Sequence, residues 1–248
     1  MTAWVLSAVW TTAILVSISP CLLVVPFERV QVLWGHPMMG WVVRFAFGRF
    51  RIHEDPLYRR DRTVVFVQNH VSMLDGYIAC GVIRTPLCGL ENAAHLRVPG
   101  YGWMMRAANA IGVERGAGRY RKIAKAMQER ASRGISILTF PEGHRTLDGN
   151  VAPFRLGVFR MARDAGLPIV PIAVRGAFRL LPKGAITARP STLEVYIGPP
   201  IETAGLTDEQ LPELADRVRE VVAAWVERGQ MRGELCLQPF ESKPSQAV

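Results

Sequence analysis

The chain opens on a long apolar run. From Ala3 to Pro26 there is no charged residue, and Ala3 to Val25 is long enough to cross a hydrocarbon core of ~30 Å as a helix. Met1-Thr2-Ala3-Trp4 places no lysine or arginine ahead of the run, so the pattern is that of a retained anchor rather than a cleaved leader. Pro20 interrupts it. A second apolar stretch, Val30 to Phe47, contains tryptophan but also His36, Pro37 and Arg44, which predicts an interfacial helix. Two arrangements fit residues 1–48: a single transmembrane helix, or a bent pair of helices embedded in one leaflet. Arg44, Arg49, Arg51, Arg59, Arg60 and Arg62 follow directly, which by the positive-inside tendency predicts that the remainder lies on the cytoplasmic face.

Beyond Phe47 short β-branched runs alternate with helical stretches, the pattern of an α/β sheet. Strands are predicted at Thr63 to Val67, Pro86 to Leu90, Ala110 to Val113, Ile135 to Phe140, Ile169 to Val174 and Leu193 to Ile197. Helices are predicted at Met73 to Val82, Trp103 to Ala108, Tyr120 to Ser132 and Gly157 to Ala165. In a last helix Thr207 and Gln210 form a capping box, and Leu211, Leu214, Val218, Val221, Val222 and Trp225 share one stripe. The expected fold is α/β: a central mixed, largely parallel sheet flanked by helices over residues 49–233, preceded by the membrane-anchoring helical segment. Residues 234–248 form a polar tail whose end is expected to be disordered.

Composition narrows the partners. A formal charge of +9 calls for an anionic partner, and nucleic acid, an anionic bilayer or a phosphorylated substrate would each satisfy it. Hydrophobic residues make up 49% of the chain and arginine is scattered throughout, which argues against a nucleic-acid module and for the other two. Cys21, Cys80, Cys88 and Cys236 have no metal-finger spacing and are expected as free thiols of a reducing compartment. His36, His53 and His95 have no ligand-like spacing either, so no catalytic metal is expected.

Four segments carry candidate chemistry. Asn69-His70-Val71-Ser72-Met73-Leu74-Asp75 follows the first buried strand and sets an imidazole and a carboxylate five positions apart in a strand-to-helix turn. A neutral imidazole accepts a proton near neutral pH, and a carboxylate behind it fixes its tautomer. Ser72 as a helix cap with Asp75 three positions on is an equally good local account. Phe140-Pro141-Glu142-Gly143-His144-Arg145-Thr146 also follows a strand; its glycine permits close backbone approach, and its arginine offers a fork of donors to phosphate or carboxylate. Gly112-Val113-Glu114-Arg115 ends a third strand in an arginine. Val170-Pro171-Ile172 puts proline inside a strand, which predicts a bulge or an edge.

In this order and at these separations, together with Pro99-x-x-Gly102-Trp103, the segments resemble the glycerolipid acyltransferase family typified by 1-acylglycerol-3-phosphate acyltransferase. The resemblance covers roughly residues 50–200. It implies a membrane-bound O-acyltransferase that moves a fatty acyl group from acyl-CoA or acyl carrier protein to the free hydroxyl of 1-acylglycerol-3-phosphate, giving phosphatidic acid. His70 would be the general base and Asp75 its orienting carboxylate. The substrate-binding set would be Asn69, Ser72, Arg115, Glu142, Gly143 and Arg145: Arg145 with Glu142 and Gly143 would hold the acceptor phosphate, Arg115 would belong to the same phosphate-binding surface, and backbone amides near the first turn would hold the oxyanion. No cofactor is implied beyond the thioester donor; the partners are lysolipid, donor and bilayer.

Two departures bear on the acceptor. His144 stands where the family more usually has threonine or serine, and Asn92-Ala93-Ala94-His95 replaces a Lys-Lys-Glu type segment. Another lysophospholipid or an amino-acid lyso-lipid is therefore a second candidate acceptor. A catalytically silent lipid-binding protein is the alternative from another class, and the intact His70 and Asp75 weigh against it. A serine hydrolase is disfavoured because no Gly-x-Ser-x-Gly elbow is present. The basic stretch Arg119, Arg121, Lys122 and Lys125 fits a lipid-facing helix and a solvated helix equally well.

Overall fold

The computed structural model describes residues 24–99, 101–114, 119–238 and 240, with isolated positions 5, 9, 10, 12, 13, 16 and 20 before them. Helix α1 (Phe27–Val30), a π-helical turn (Gln31–Gly35) and α2 (His36–Phe45) form one continuous stretch. There follow β1 (Gly48–Glu54), β2 (Val65–Gln68), α3 (Asp75–Val82), β3 (Leu87–Asn92), α4 (Tyr101–Ala107), β4 (Ile111–Val113) and α5 (Arg119–Ala131). The rest is β5 (Ser136–Thr139), α6 (Leu156–Asp164), β6 (Ile169–Arg175), α7 (Ala177–Leu180), β7 (Ser191–Ile197) and α8 (Leu211–Ala223), the last running on into a π-helical turn, Ala224–Arg228.

Among the described residues the strands make one sheet in the order β1-β7-β6-β2-β5-β3-β4. Only β6 and β7 pair antiparallel; every other neighbouring pair is parallel. Consequently β2, β5, β6, β3 and β4 all end at one edge, where ligand crevices of open α/β sheets form. The central strands are apolar without alternation because helices cover both faces. Val65 and Val67 pack in one core with Ile123 of α5, Phe159 of α6 and Val218 of α8. Phe66 packs in the other with Val43 of α2, Ile78 of α3 and Leu180 of α7.

Pro171 has the effect its position in the sequence implies. The β6–β7 ladder pairs Ile172 with Ile197, yet the next bridge joins Ile169 to Ile201, so the β7 side carries one extra residue. Gly198 donates to the Pro171 carbonyl at 2.9 Å, while proline has no N–H to return the bond. The absent side chain of Gly198 makes room for the proline ring, whose Cγ would lie 2.7 Å from a Cβ there.

Strand β1 was not anticipated. Its residues alternate with charge, Arg49 and Arg51 among them, and it lies on the sheet edge with a mostly exposed pattern. The expected interfacial stretch does form a helix, and it lies against the domain. Its buried face crosses α3 where Gly40 meets Gly81: a Cβ on Gly81 would sit 3.1 Å from both the Gly40 Cα and Phe50. Gln31 holds Leu87 at the start of β3 through two bonds, Nε2 to the carbonyl at 2.6 Å and the Leu87 N–H to Oε1 at 3.0 Å. Glu28 pairs with Arg133. At the other end the Ser191 N–H donates to the Phe47 carbonyl.

The outer face of the same stretch exposes Leu33, Trp34 and Trp41, and Phe47 just beyond it is exposed too. Trp10 packs edge-on against Trp41 and Phe45. Most of Ala3 to Val25 lies outside the described residues, although positions 5, 9, 10, 12, 13 and 16 are helical. Among the described residues no helix is long and apolar enough to cross a membrane. At the other terminus packing continues past Gly233 into a 3-10 turn, Gly233–Leu237, with Cys236 buried. The end of the tail, expected to be disordered, lies outside the described residues.

Candidate active site

Strand β2 ends in polar residues that cannot face solvent, and each has its own backbone partner. Asn69 is fully buried; its Nδ2 donates to the Val174 carbonyl at 3.1 Å and its Oδ1 accepts the Val174 N–H at 2.8 Å. This pins the end of β2 to the end of β6. Gln68 donates to the Asp75 carbonyl at 3.3 Å, joining the strand end to the first turn of α3. His70 then emerges with its ring stacked on Phe140, centroids 4.2 Å apart, and about a quarter exposed (23%).

The imidazole Nδ1 lies 2.7 Å from Oδ2 of Asp75, which is completely buried. That same oxygen accepts the N–H groups of Val71 at 2.7 Å and Ser72 at 2.8 Å, while Oδ1 meets no partner. Ser72 Oγ in turn accepts from Leu74 N–H at 3.2 Å, and regular helix begins at Asp75. One carboxylate oxygen thus serves both the backbone of the turn and the imidazole, while the helix proper begins after Ser72, with Leu74 at its N-cap position. Burial raises the Asp75 carboxyl above its ordinary range, opposed first by the hydrogen bond and charge of His70 and then by the two amides. With Nδ1 committed to Asp75, Nε2 is the nitrogen left to exchange a proton with a ligand.

The second motif approaches from the end of β5. Glu142 is 1% exposed: Oε1 accepts the His70 N–H at 2.6 Å and Oε2 the Ala152 N–H at 3.1 Å. The Thr146 N–H donates to the His70 carbonyl at 3.0 Å. Both backbone groups of His70 are therefore held by this turn. Burial pushes the Glu142 carboxyl up to about 7, against the pull of the two amides. Gly143 turns the chain at φ +73°, and the guanidinium of Arg155 lies where its side chain would be, 2.6 Å from an ideal Cβ. Arg145 is half-buried and has no carboxylate partner among the described residues.

Three residues expected in contact with substrate are framework instead. Asn69, Ser72 and Glu142 are buried, and the polar atoms of Asn69 and Glu142 are taken by backbone; a carboxylate in that setting positions His70 and does not hold a phosphate. The expectation for the oxyanion changes likewise. The amides of His70, Val71 and Ser72 donate to Glu142 and Asp75, so they are not available to a tetrahedral intermediate. Arg115 lies outside the described residues; Glu114 before it follows β4, at the same sheet edge as His70.

Phe140, Gln68 and Ala152 were missed as site-builders. Phe140 and Gln68 did carry a signal, an aromatic and an amide closing apolar strands beside a motif; Ala152 carried none, because it contributes only its N–H. Near the end of β3, where the family's lysines are absent, Glu91 accepts from Tyr101 at 2.9 Å and lies 2.6 Å from His95 Nδ1. Among the described residues no cluster of His, Cys, Asp and Glu could hold a metal ion.

A His and an Asp in hydrogen-bond contact at the strand ends of an open α/β sheet, with no serine or cysteine in the pair, have the makeup of a general-base site. The Acyltransferase family model matches residues 49–175, just over half the chain, and the chain belongs to that family. It is 30% identical over 168 residues to a 1-acyl-sn-glycerol-3-phosphate acyltransferase of Pseudomonas aeruginosa, covering 67% of this chain and 63% of that one. With the enzyme of the same name from Limnanthes douglasii it shares 26% over 200 residues, 79% of this chain and 70% of the other. The fold matches the crystal structure of the 1-acyl-sn-glycerophosphate (LPA) acyltransferase PlsC from Thermotoga maritima with a TM-score of 0.72 at 23% identity, over 93% of this chain and 98% of that one.

Proposed function

We propose that this acyltransferase moves a fatty acyl group from a thioester donor to the free hydroxyl of 1-acylglycerol-3-phosphate, giving phosphatidic acid. The observation that carries the reading is the 2.7 Å contact between His70 Nδ1 and the buried Asp75. Nε2 takes the proton of the acceptor hydroxyl as its oxygen attacks the thioester carbonyl. Asp75 stabilises the imidazolium that forms. Collapse of the tetrahedral intermediate breaks the carbon–sulfur bond, and the departing thiolate recovers the proton from Nε2. The acyl group passes directly to the acceptor, so the enzyme carries no covalent intermediate. Arg145, and Arg115 from the neighbouring strand end, would face the acceptor phosphate.

The donor would be acyl-CoA or an acyl carrier protein, since either presents the same thioester. The setting would be the cytoplasmic face of a membrane. The uncharged N-terminal run and the exposed Leu33, Trp34, Trp41 and Phe47 support that placement. A second acceptor class, another lysophospholipid or an amino-acid lyso-lipid, is favoured by the loss of the lysine segment at Asn92-Ala93-Ala94 and by His144.

The test is a screen of lysolipid acceptors against both donor types with purified protein, product mass being read directly. Lysophosphatidate is expected to give the highest kcat/KM, and His70→Ala to lose activity by roughly 10²- to 10⁴-fold or more. Full activity in a correctly folded His70→Ala protein would overturn the mechanism.

A further inference from the structure

The loop between β5 and α6 is fastened at several points before it reaches Arg155. Arg219 of α8 donates to the carbonyls of Val151 at 2.8 Å and Ala152 at 3.3 Å, and Ala152 donates to Glu142. Phe154 is buried and stacks on Phe159. The Arg155 N–H donates to the Pro141 carbonyl at 3.0 Å. The root of Arg155 is thereby fixed to the very turn that carries Glu142 and Gly143, and its side chain folds back over Gly143.

That guanidinium is exposed and has no carboxylate partner among the described residues, whereas Arg62, Arg163 and Arg228 each have one within 2.7 Å. A solvated arginine needs no such seat. Here glycine at a left-handed φ leaves the seat open, because any side chain at 143 would displace the guanidinium. The Arg155 guanidinium thus lies over the turn that leads into Arg145, and the acidic group within that turn is withdrawn: both oxygens of Glu142 face backbone N–H groups. At the β3 end, Glu91 is the anchor for His95 and Tyr101.

We propose that Arg155 is a second phosphate-binding arginine of the acceptor site, acting with Arg145 and supplying the contact that the missing lysine segment leaves open. The proposal rests on the acyl-transfer reading above. A planar fork suits the several oxygens of a phosphate monoester, and its loss acts on ground-state and transition-state binding alike. It should therefore appear in KM for the acceptor and not in kcat.

The phosphate could instead belong to the donor, so the assay varies each substrate in turn. The full-length protein, its Arg155→Gln and its Arg155→Lys forms are assayed with 1-acylglycerol-3-phosphate and with the phosphate-free 1-acylglycerol, using acyl-CoA and acyl-pantetheine as donors. Arg155→Gln is expected to raise KM for the phosphate-bearing acceptor about tenfold, the scale of one charge-assisted contact, with kcat within about twofold. Arg155→Lys should recover part of this. Neither change should alter KM for 1-acylglycerol or for either donor. An unchanged acceptor KM overturns the proposal, and so does a rise confined to acyl-CoA, which would assign Arg155 to the donor's phosphates. Failure of the acyl-transfer reading itself is separately visible, as a wild-type protein that acylates none of the acceptors.

Discussion

His70 and Asp75 differ in what their removal should do. The imidazole is partly exposed and its ring rests on Phe140, so His70→Ala should abolish transfer while leaving the free energy of unfolding in urea within about 1 kcal/mol of wild type. Asp75→Ala strands the N–H groups of Val71 and Ser72 as well as the imidazole, and should cost roughly 2–4 kcal/mol in addition to activity. Equal destabilisation by the two changes would contradict the shared-oxygen arrangement. Glu142 gives a pH signature. Its carboxyl is raised from 4.5 to about 7 in the folded chain, so the folded state holds this proton where the unfolded state has lost it. Its contribution is therefore complete below pH 4.5 and is lost as pH rises to about 7. The difference in Tm between wild type and Glu142→Gln should move against the wild type across that window and then level off. A difference moving the other way would show that the two amide bonds outweigh burial.

At the scale of elements, the crossing of α2 on α3 depends on two glycines. Gly81→Val should destabilise by about 1–3 kcal/mol, since the added atoms meet the Gly40 backbone and the Phe50 ring. Chemical denaturation measures it, and a neutral effect would mean that the helices can part without loss. Central elements were legible in the sequence because burial on both faces leaves an uninterrupted apolar run, as in β2 and β6. Strand β1 was not, because an edge strand needs only a few inward residues and Phe50 and Ile52 are the only large apolar positions between its charged ones. The order of strands was illegible for a different reason: pairing β1 with β7 joins residues more than a hundred positions apart, and no local pattern encodes it. The site divides along the same line. His70, Asp75 and the Glu142 turn announce themselves by residue type, whereas the partners of Asn69 and Glu142 are backbone atoms of Val174 and Ala152, which any residue could supply.

For the molecule as a whole, the excess of positive charge and the exposed indoles of residues 34 and 41 act at the same boundary if the proposed bilayer setting holds. Replacing Leu33 and Trp34 together by glutamate should lower co-flotation with anionic vesicles, with the circular-dichroism melt unchanged, because both side chains are exposed. Unchanged flotation would place the contact elsewhere on the chain. The helical stretch that bears them is clamped at Leu87 on one end and at Ser191 on the other, so whatever it rests on also sets the orientation of the sheet edge.

The single Asp75 oxygen that receives His70, Val71 and Ser72 also changes how the motif informs on a sequence. A chain that had lost its chemistry would still need that carboxylate to build the turn, so its presence alone says little about turnover. The imidazole answers to no such structural demand. In a chain of this fold the diagnostic letter is the histidine, and an intact aspartate behind a missing histidine would mark a folded but inert copy.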